Sequence, residues 1–263
     1  MAMTAAKRDV LLEIEDIHLS FGGVKVLNEI NLSVKRGDLF SIIGPNGAGK
    51  TSLLNCINMH YRPQHGGITF DGEELNGLKP HAVAALGIAR TFQKVELFQG
   101  MTVLDNIKLG RHFLMKLSFL GSLLRLPNIV RDEIKHREEI EAEIIDFMGL
   151  SSFRYSPVGI LPFGVRKRVD MARALAMSPK LLLLDEIMSG MAVEEKEDIA
   201  SYIMDVHRDL RVTIIWIEHD LAAVMDLSER VCVLNFGTKI AEGTPDEVQK
   251  NPQVIEAYLG RQK

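Results

Sequence analysis

A chain of 263 residues, 46% apolar and 25% charged, is long enough to bury a sizeable core as one large domain or as one domain carrying a subdomain. Its 31 Lys and Arg stand against 35 Asp and Glu for a net charge of −4, with no basic tract or tail, so the electrostatic footprint of a nucleic-acid binder is missing. Cys56 and Cys232 are isolated thiols without CxxC spacing, which suits a reducing compartment better than a disulfide framework and offers no metal-ligand pair.

In chain order, the opening "MAMTAAKRDVLLEIE" has no apolar core ahead of its charges. "LLEIEDIHL" and "NEINLSV" alternate apolar and polar residues, as half-buried antiparallel strands do, with "SFGGVK" as the turn between them. "LFSII" is a continuous apolar run, the mark of a strand buried on both faces, and leads directly into the glycine-rich "GPNGAGKTSLLNCINMH". After a further strand, "GGITFDG", a predominantly helical region is expected from Pro80 to Phe153. Its centre carries Ile134, Ile140, Ile144, Ile145 and Met148 at near-helical spacing. The longest apolar candidate, "FLMKLSFLGSLLRLPNIV", is broken by Lys116, Arg125 and Pro127, so the chain is expected to be cytoplasmic with no membrane span of its own.

The last third alternates strand and helix: "KLLLLDE", "AVEEKEDIASYIMDVHRDL", "VTIIWIE", "DLAAVMDLSE" and "VCVLNFG". That order predicts a parallel sheet with crossover helices. The helix containing "MARAL" has Val169, Ala172, Leu175 and Ala176 on a face suited to packing beneath the sheet, and Arg166, Lys167 and Arg168 are expected to stay solvated. Thr244 before Pro245 is a cap followed by a favourable first helical residue, predicting short helices at the end.

Residues Gly44-Pro45-Asn46-Gly47-Ala48-Gly49-Lys50-Thr51 fit G-x-x-x-x-G-K-[ST], with a strand before and a helix after. Glycines let successive N–H groups curl inward onto phosphate oxygens, and the helix start adds its positive end. Lys50 is placed to reach the β and γ phosphates, Thr51 to ligate Mg²⁺, and Ser52 offers a further hydroxyl. "LLLLDE" supplies the carboxylates such a loop needs: Asp185 for Mg²⁺ and Glu186 to polarise a hydrolytic water.

These motifs, with Gln93 in "ARTFQ", the segment "LPFGVRKRVDMARAL" and His219 in "IEHD", resemble in order, over nearly the whole chain, the ATPase subunit of ATP-binding cassette (ABC) transporters. A phosphate loop alone would allow a kinase or a GTPase. The resemblance implies an α/β P-loop NTPase fold with an N-terminal antiparallel β-subdomain and an inserted α-helical subdomain. Residues 1–92 and 154–243 would form the ATP-binding core, 93–153 the helical insertion, with the signature loop 161–165 at its return to the core, and 244–263 a C-terminal helical tail. It implies that Phe21 stacks on adenine, that Gln93 approaches Mg²⁺ and the attacking water, and that His219 contacts the γ-phosphate. The seven other histidines are expected at the surface. Pro162, Phe163, Gly164 and Val165 would lie across the ATP of an opposing subunit, so a homodimer or heterodimer is implied.

Segments such as "GIARTFQKVELFQGMTVLDNIKLGRH", the closing "EAYLG" and the long insert from Phe113 to Glu143 are similar to the ATPases of branched-chain amino acid importers. Expected partners are a second ATPase subunit, membrane permease subunits and, indirectly, a substrate-binding protein, at the cytoplasmic face of the membrane. Expected cofactors are ATP and Mg²⁺, and no nucleic acid is expected. Alternatives are the same ATPase serving urea, amide or other cargo, or a regulatory subunit that binds ATP with little turnover. A soluble nucleotide kinase would need acceptor-binding arginines, for which the insert offers Arg125, Arg131 and Arg137. The chain departs from the family pattern at Pro162 (usually serine), Val165 (usually glutamine), Ile187 (often proline) and Ala192 (often aspartate). With Pro162 there, a grip on the partner's ATP is expected from backbone N–H groups, Gly164 foremost.

Overall fold

The computed structural model describes residues 9–91, 93, 96–111 and 140–259. Alternation near the N-terminus folds as a hairpin of β1 (Val10–Phe21) and β2 (Val24–Lys35), tighter than the six-residue turn expected. The link is Gly22-Gly23 alone, with φ of 52 and 87°; two successive left-handed positions are what a two-residue hairpin of this twist requires. On its other edge β1 pairs antiparallel with β4 (His65–Phe70), and β5 (Glu73–Glu74) closes the order β2-β1-β4-β5.

The second sheet holds β3 (Leu39–Ile43), β6 (Ile88–Arg90), β7 (Leu181–Asp185), β8 (Thr213–Ile217), β9 (Arg230–Asn235) and β10 (Thr238–Gly243), in the order β10-β9-β3-β8-β7-β6. All neighbours run parallel except β10, which returns antiparallel on β9. Every residue of β3, β7 and β8 is buried, because both faces of this sheet are covered. The strand period of two then sorts side chains into two cores. Leu182, Leu184, Ile214, Trp216, Val231 and Val233 face one core, while Leu181, Leu183, Ile215, Ile217, Cys232 and Leu234 face the other.

The second of these cores is filled from the antiparallel sheet and from α1 (Lys50–Ile57), through Leu53, Leu54, Cys56 and Ile57; α2 (Pro80–Ala85) adds Val83. The first is filled by α3 (Val103–Arg111), α4 (Phe163–Leu175), α5 (Val193–Asp209), α6 (Leu221–Leu227), and the terminal α7 (Pro245–Gln249) and α8 (Pro252–Leu259). Thr244 caps α7 as expected: its hydroxyl accepts from Glu247 N–H at 3.4 Å while its own N–H donates to the Glu247 carboxylate at 2.8 Å.

Four expectations need correction or completion. The region taken as helical from Pro80 contains β6, three residues too short to show a period, held because Ile88 to Arg90 pair with Leu181 to Leu183. Strand β10 was not anticipated; it follows β9 through Phe236-Gly237, both left-handed. Lys167, expected to be solvated, is 0% exposed. Among the histidines expected at the surface, the His207 side chain is only 11% exposed. Within the insert, Ile144, Ile145 and Met148 are buried in the first core. Ile134, Arg125, Arg131, Arg137 and most of the span from Phe113 to Glu143 lie outside the described residues. Among the described residues, no helix is long and apolar enough to cross a membrane.

Candidate active site

The carboxyl ends of four adjacent parallel strands, β3, β8, β7 and β6, deliver the candidate residues, the edge at which open α/β sheets bind ligands. From β3 the chain turns through Gly44 to Gly49 into α1. A Cβ on Gly44, at φ +149°, would lie 2.1 Å from the Leu234 carbonyl oxygen, and one on Gly49, at φ +101°, would lie 2.8 Å from that of Val26. No other residue fits at either position. Pro45 and Ala48 are buried, while Asn46, Gly47 and Thr51 are exposed and Ser52 is half-buried. Lys50, 5% exposed, donates to the carbonyls of Gly44 at 2.8 Å and Pro45 at 3.3 Å. An open cleft is lined by Asn46 through Ser52 and by Glu186. The first turn of α1 presents its N–H groups with no acidic side chain to neutralise them. This is a cradle for an anion such as a phosphate chain.

Asp185, the last residue of β7, receives Arg90 from the end of β6 at 2.7 Å, with side chains 3% and 7% exposed. Arg90 also donates to Asn55 of α1 at 2.6 Å, bracing the carboxylate against the loop helix. The second oxygen of Asp185, Oδ1, is buried without a hydrogen-bond partner among the described residues. A buried acceptor in that state fits a cation ligand. Together with the hydroxyl of Thr51 it would supply the few protein oxygens that Mg²⁺ takes when phosphates complete its shell.

Glu186 sits at φ +50°, a left-handed position for a residue with a side chain, and its N–H is fixed to the Ile217 carbonyl at 2.8 Å. That conformation costs about 1 kcal/mol and turns the carboxylate away from the strand line. His219 Nε2 meets Glu186 Oε1 at 2.6 Å, and Gln93 Nε2 donates to Glu186 Oε2. The structure thus brings Gln93, Glu186 and His219 together at the cleft that Lys50 and Thr51 line. Phe21 ends β1 with 47% of its surface exposed and its ring edge-on to Tyr61 at 5.0 Å. An exposed aromatic braced in this way can offer a face to a base.

The signature residues are not part of that cluster. Pro162 precedes the first turn of α4 in extended conformation, and Phe163 begins the helix. Gly164 and Val165 line a separate hollow with Arg168, Met191, Glu195, Asp198 and Ile199. There the Gly164 N–H donates to Glu195 Oε1 at 3.2 Å, and the other Glu195 oxygen accepts from Ala192 N–H at 3.1 Å. The backbone donor expected for a phosphate is therefore engaged by an internal carboxylate in this structure.

Sequence reasoning passed over Arg90, Glu218, Lys167 and Glu195. Glu218, 3% exposed, accepts from the N–H groups of Met188 at 2.8 Å and His219 at 3.2 Å, fixing the turn that carries His219; burial foremost raises its pKa. Burial likewise lowers the pKa of Lys167, against the pull of the carboxylates Asp170, Glu218, Asp185 and Glu186. A sequence signal existed for Arg90: an aspartate ending an all-leucine strand needs a cation close by. At the C-terminal end of the chain, burial pushes the Tyr258 phenol up to about 12, opposed by a hydrogen bond with the Gly44 main chain, so α8 packs at the start of the phosphate loop.

The chain is similar to known proteins along nearly its whole length. The family described as ABC transporter matches residues 27–189, and that described as branched-chain amino acid ATP-binding cassette transporter matches residues 238–263. The high-affinity branched-chain amino acid transport ATP-binding protein BraF of Pseudomonas aeruginosa is 38% identical over 250 residues, covering 95% of this chain and 98% of that protein. The corresponding protein LivG of Escherichia coli is 35% identical with the same coverage. The crystal structure of a nucleotide-free ATP-binding cassette from an ABC transporter superimposes with a TM-score of 0.81 at 32% identity, covering 95% of this chain and 98% of the other. A cassette in its ADP conformation gives a TM-score of 0.82 at 32% identity, covering 96% and 99%. The chain belongs to the ATP-binding cassettes of ABC transporters, a family of P-loop ATPases.

Proposed function

We propose that this chain is the ATP-hydrolysing subunit of an importer for branched-chain amino acids. The observation that carries the reading is Glu186, held between Gln93 and His219 at the mouth of the phosphate loop. Similarity to BraF and LivG supports the cargo.

In this reading Gly44 to Ser52 and Lys50 bind the phosphates of ATP, and Phe21 takes the adenine. Lys50 exchanges its carbonyl partners for β and γ phosphate oxygens, which its stem can reach without leaving the loop. Asp185, Thr51 and Gln93 would hold Mg²⁺, which when bound draws charge from the phosphate oxygens. Glu186 accepts the proton of the attacking water as general base. Gln93 orients that water, and His219, released from Glu186, donates to the γ-phosphate as charge develops there.

The chain divides as residues 1–92 and 154–243 for the nucleotide core, 93–153 for the helical insertion and 244–263 for the tail. Pro162 to Val165 serve the ATP of a second ATPase subunit, a role supported by the place of Gly164 and Val165 in a hollow separate from the phosphate-loop cleft. Two permease subunits receive the work at the cytoplasmic face of the membrane, and a substrate-binding protein delivers the cargo to them. Isolating the chain with its native membrane and identifying what it holds tests the reading. A bound permease pair, together with loss of labelled leucine uptake when the chain is deleted, is expected. Recovery as a free protein with uptake intact would overturn it.

A further inference from the structure

An ammonium removed from water costs several kcal/mol unless it is held and paired. Lys167 of α4 is 0% exposed and close to Asp170, Glu218, Asp185 and Glu186. Its Nζ donates to the main-chain carbonyl of Gln93 at 2.9 Å and lies 5.5 Å from the ring centre of Phe163. One lysine therefore touches a signature residue and the residue whose side-chain amide donates to Glu186.

The same helix secures this segment a second time. Arg173 Nη1 donates to the carbonyl of Glu96 at 2.6 Å, and its Nη2 is fixed by the buried Asp170 at 2.6 Å. Lys167, Asp170 and Arg173, spaced three residues apart on α4, hold the two ends of the stretch from Gln93 to Glu96. The acceptor that satisfies this buried ammonium belongs to the residue whose side-chain amide meets Glu186.

We infer that Lys167 is a positioning residue for hydrolysis: it holds Gln93 by its carbonyl and so sets the amide that meets Glu186, tying the signature helix to the carboxylate of its own chain. The inference rests on the reading that Gln93 and Glu186 act on ATP. A shift of α4 on meeting a partner's nucleotide would then move Gln93 directly, with Lys167 as the link.

The test uses the purified full-length chain and the variants Lys167→Met, which conserves volume without a donor, Gln93→Ala, and the two combined. Binding of a fluorescent ATP analogue reports folding. Lys167→Met is expected to lower kcat about tenfold, the consequence of losing one charge-assisted hydrogen bond in the reactive state, with KM for ATP within about twofold. The double variant should be no slower than Gln93→Ala alone, because the lysine acts only through Gln93. Parental kcat in Lys167→Met while Gln93→Ala is slow, or losses that multiply in the double variant, would overturn the inference alone. Parental kcat in Gln93→Ala would overturn the reading beneath it as well. If Lys167→Met does not fold, Lys167→Gln takes its place, judged by the same kcat, KM and cycle criteria.

Discussion

Replacing Arg90 by methionine isolates the charge balance on which the buried carboxylate of Asp185 depends. Asp185 and Arg90 meet at 2.7 Å with side chains 3% and 7% exposed, so water does not compensate when the guanidinium is lost. Breaking such a buried pair by removing one partner costs about 3–5 kcal/mol, because the remaining charge stays buried and unpaired. The side-chain oxygen of Asn55, Oδ1, which accepts from Arg90 at 2.6 Å, loses this donor in the same step. In a chain of this size each kcal/mol shifts Tm by about 2–4 °C, so Arg90→Met should melt about 6–20 °C below the parent in differential scanning calorimetry. The control is Asp185→Asn in the same background: neutralising the orphaned carboxylate should restore part of the loss, a coupling that unrelated lesions would not show. A melt within about 2 °C of the parent, or a double variant whose losses simply add, would refute the reasoning.

Three further outcomes follow from other parts of the structure. Lys50→Ala removes the ammonium that now rests on Gly44 and Pro45 and should abolish detectable hydrolysis; unchanged turnover would contradict the phosphate-loop assignment. Cys56 and Cys232 are buried thiols, each pushed up to about 12 by desolvation. Neither should react with a thiol reagent in the native chain at neutral pH, and both should react in denaturant; rapid native labelling would contradict the packing of the second core. Asp71 is held below the ordinary aspartate value, by the hydrogen bond from Lys180 foremost and then by Arg36. A depressed acid contributes stability above its ordinary pKa and loses it as pH falls through the depressed value. Asp71→Asn should therefore melt lower than the parent at neutral pH, with the difference closing below about pH 4; a pH-independent difference would exclude the ion pair as its cause.

Much of the fold could be read because the chain obeys simple periods. The continuous apolar run "LFSII" and the four leucines of "KLLLLD" mark strands inside the sheet, and Gly44 and Gly49 of the phosphate loop sit where a Cβ would strike a neighbouring carbonyl. Short elements escaped: β6 has three residues, and its existence depends on Leu181 to Leu183 almost a hundred positions away. Motifs located Lys50, Gln93, Asp185, Glu186 and His219, but motifs carry no information on what holds them. Lys167 illustrates the limit. Within a run of three basic residues at a helix start, its sequence suggests a wet face, whereas the fold buries it at 0% exposure against the Gln93 carbonyl. Glu195 is a second case: its sequence shows one glutamate of an acidic helix start, whereas its carboxylate bridges the N–H groups of Gly164 and Ala192.

In the proposed function, Glu186 directs hydrolysis of ATP held by the phosphate loop. Glu186→Gln conserves the shape of a side chain that meets both Gln93 and His219 and removes the base. The direct measurement is steady-state phosphate release by parent and variant in Mg²⁺ and ATP, with nucleotide binding followed in parallel. A fall of about 10²–10⁴-fold with binding retained is the predicted result, and full turnover in the variant would contradict the account.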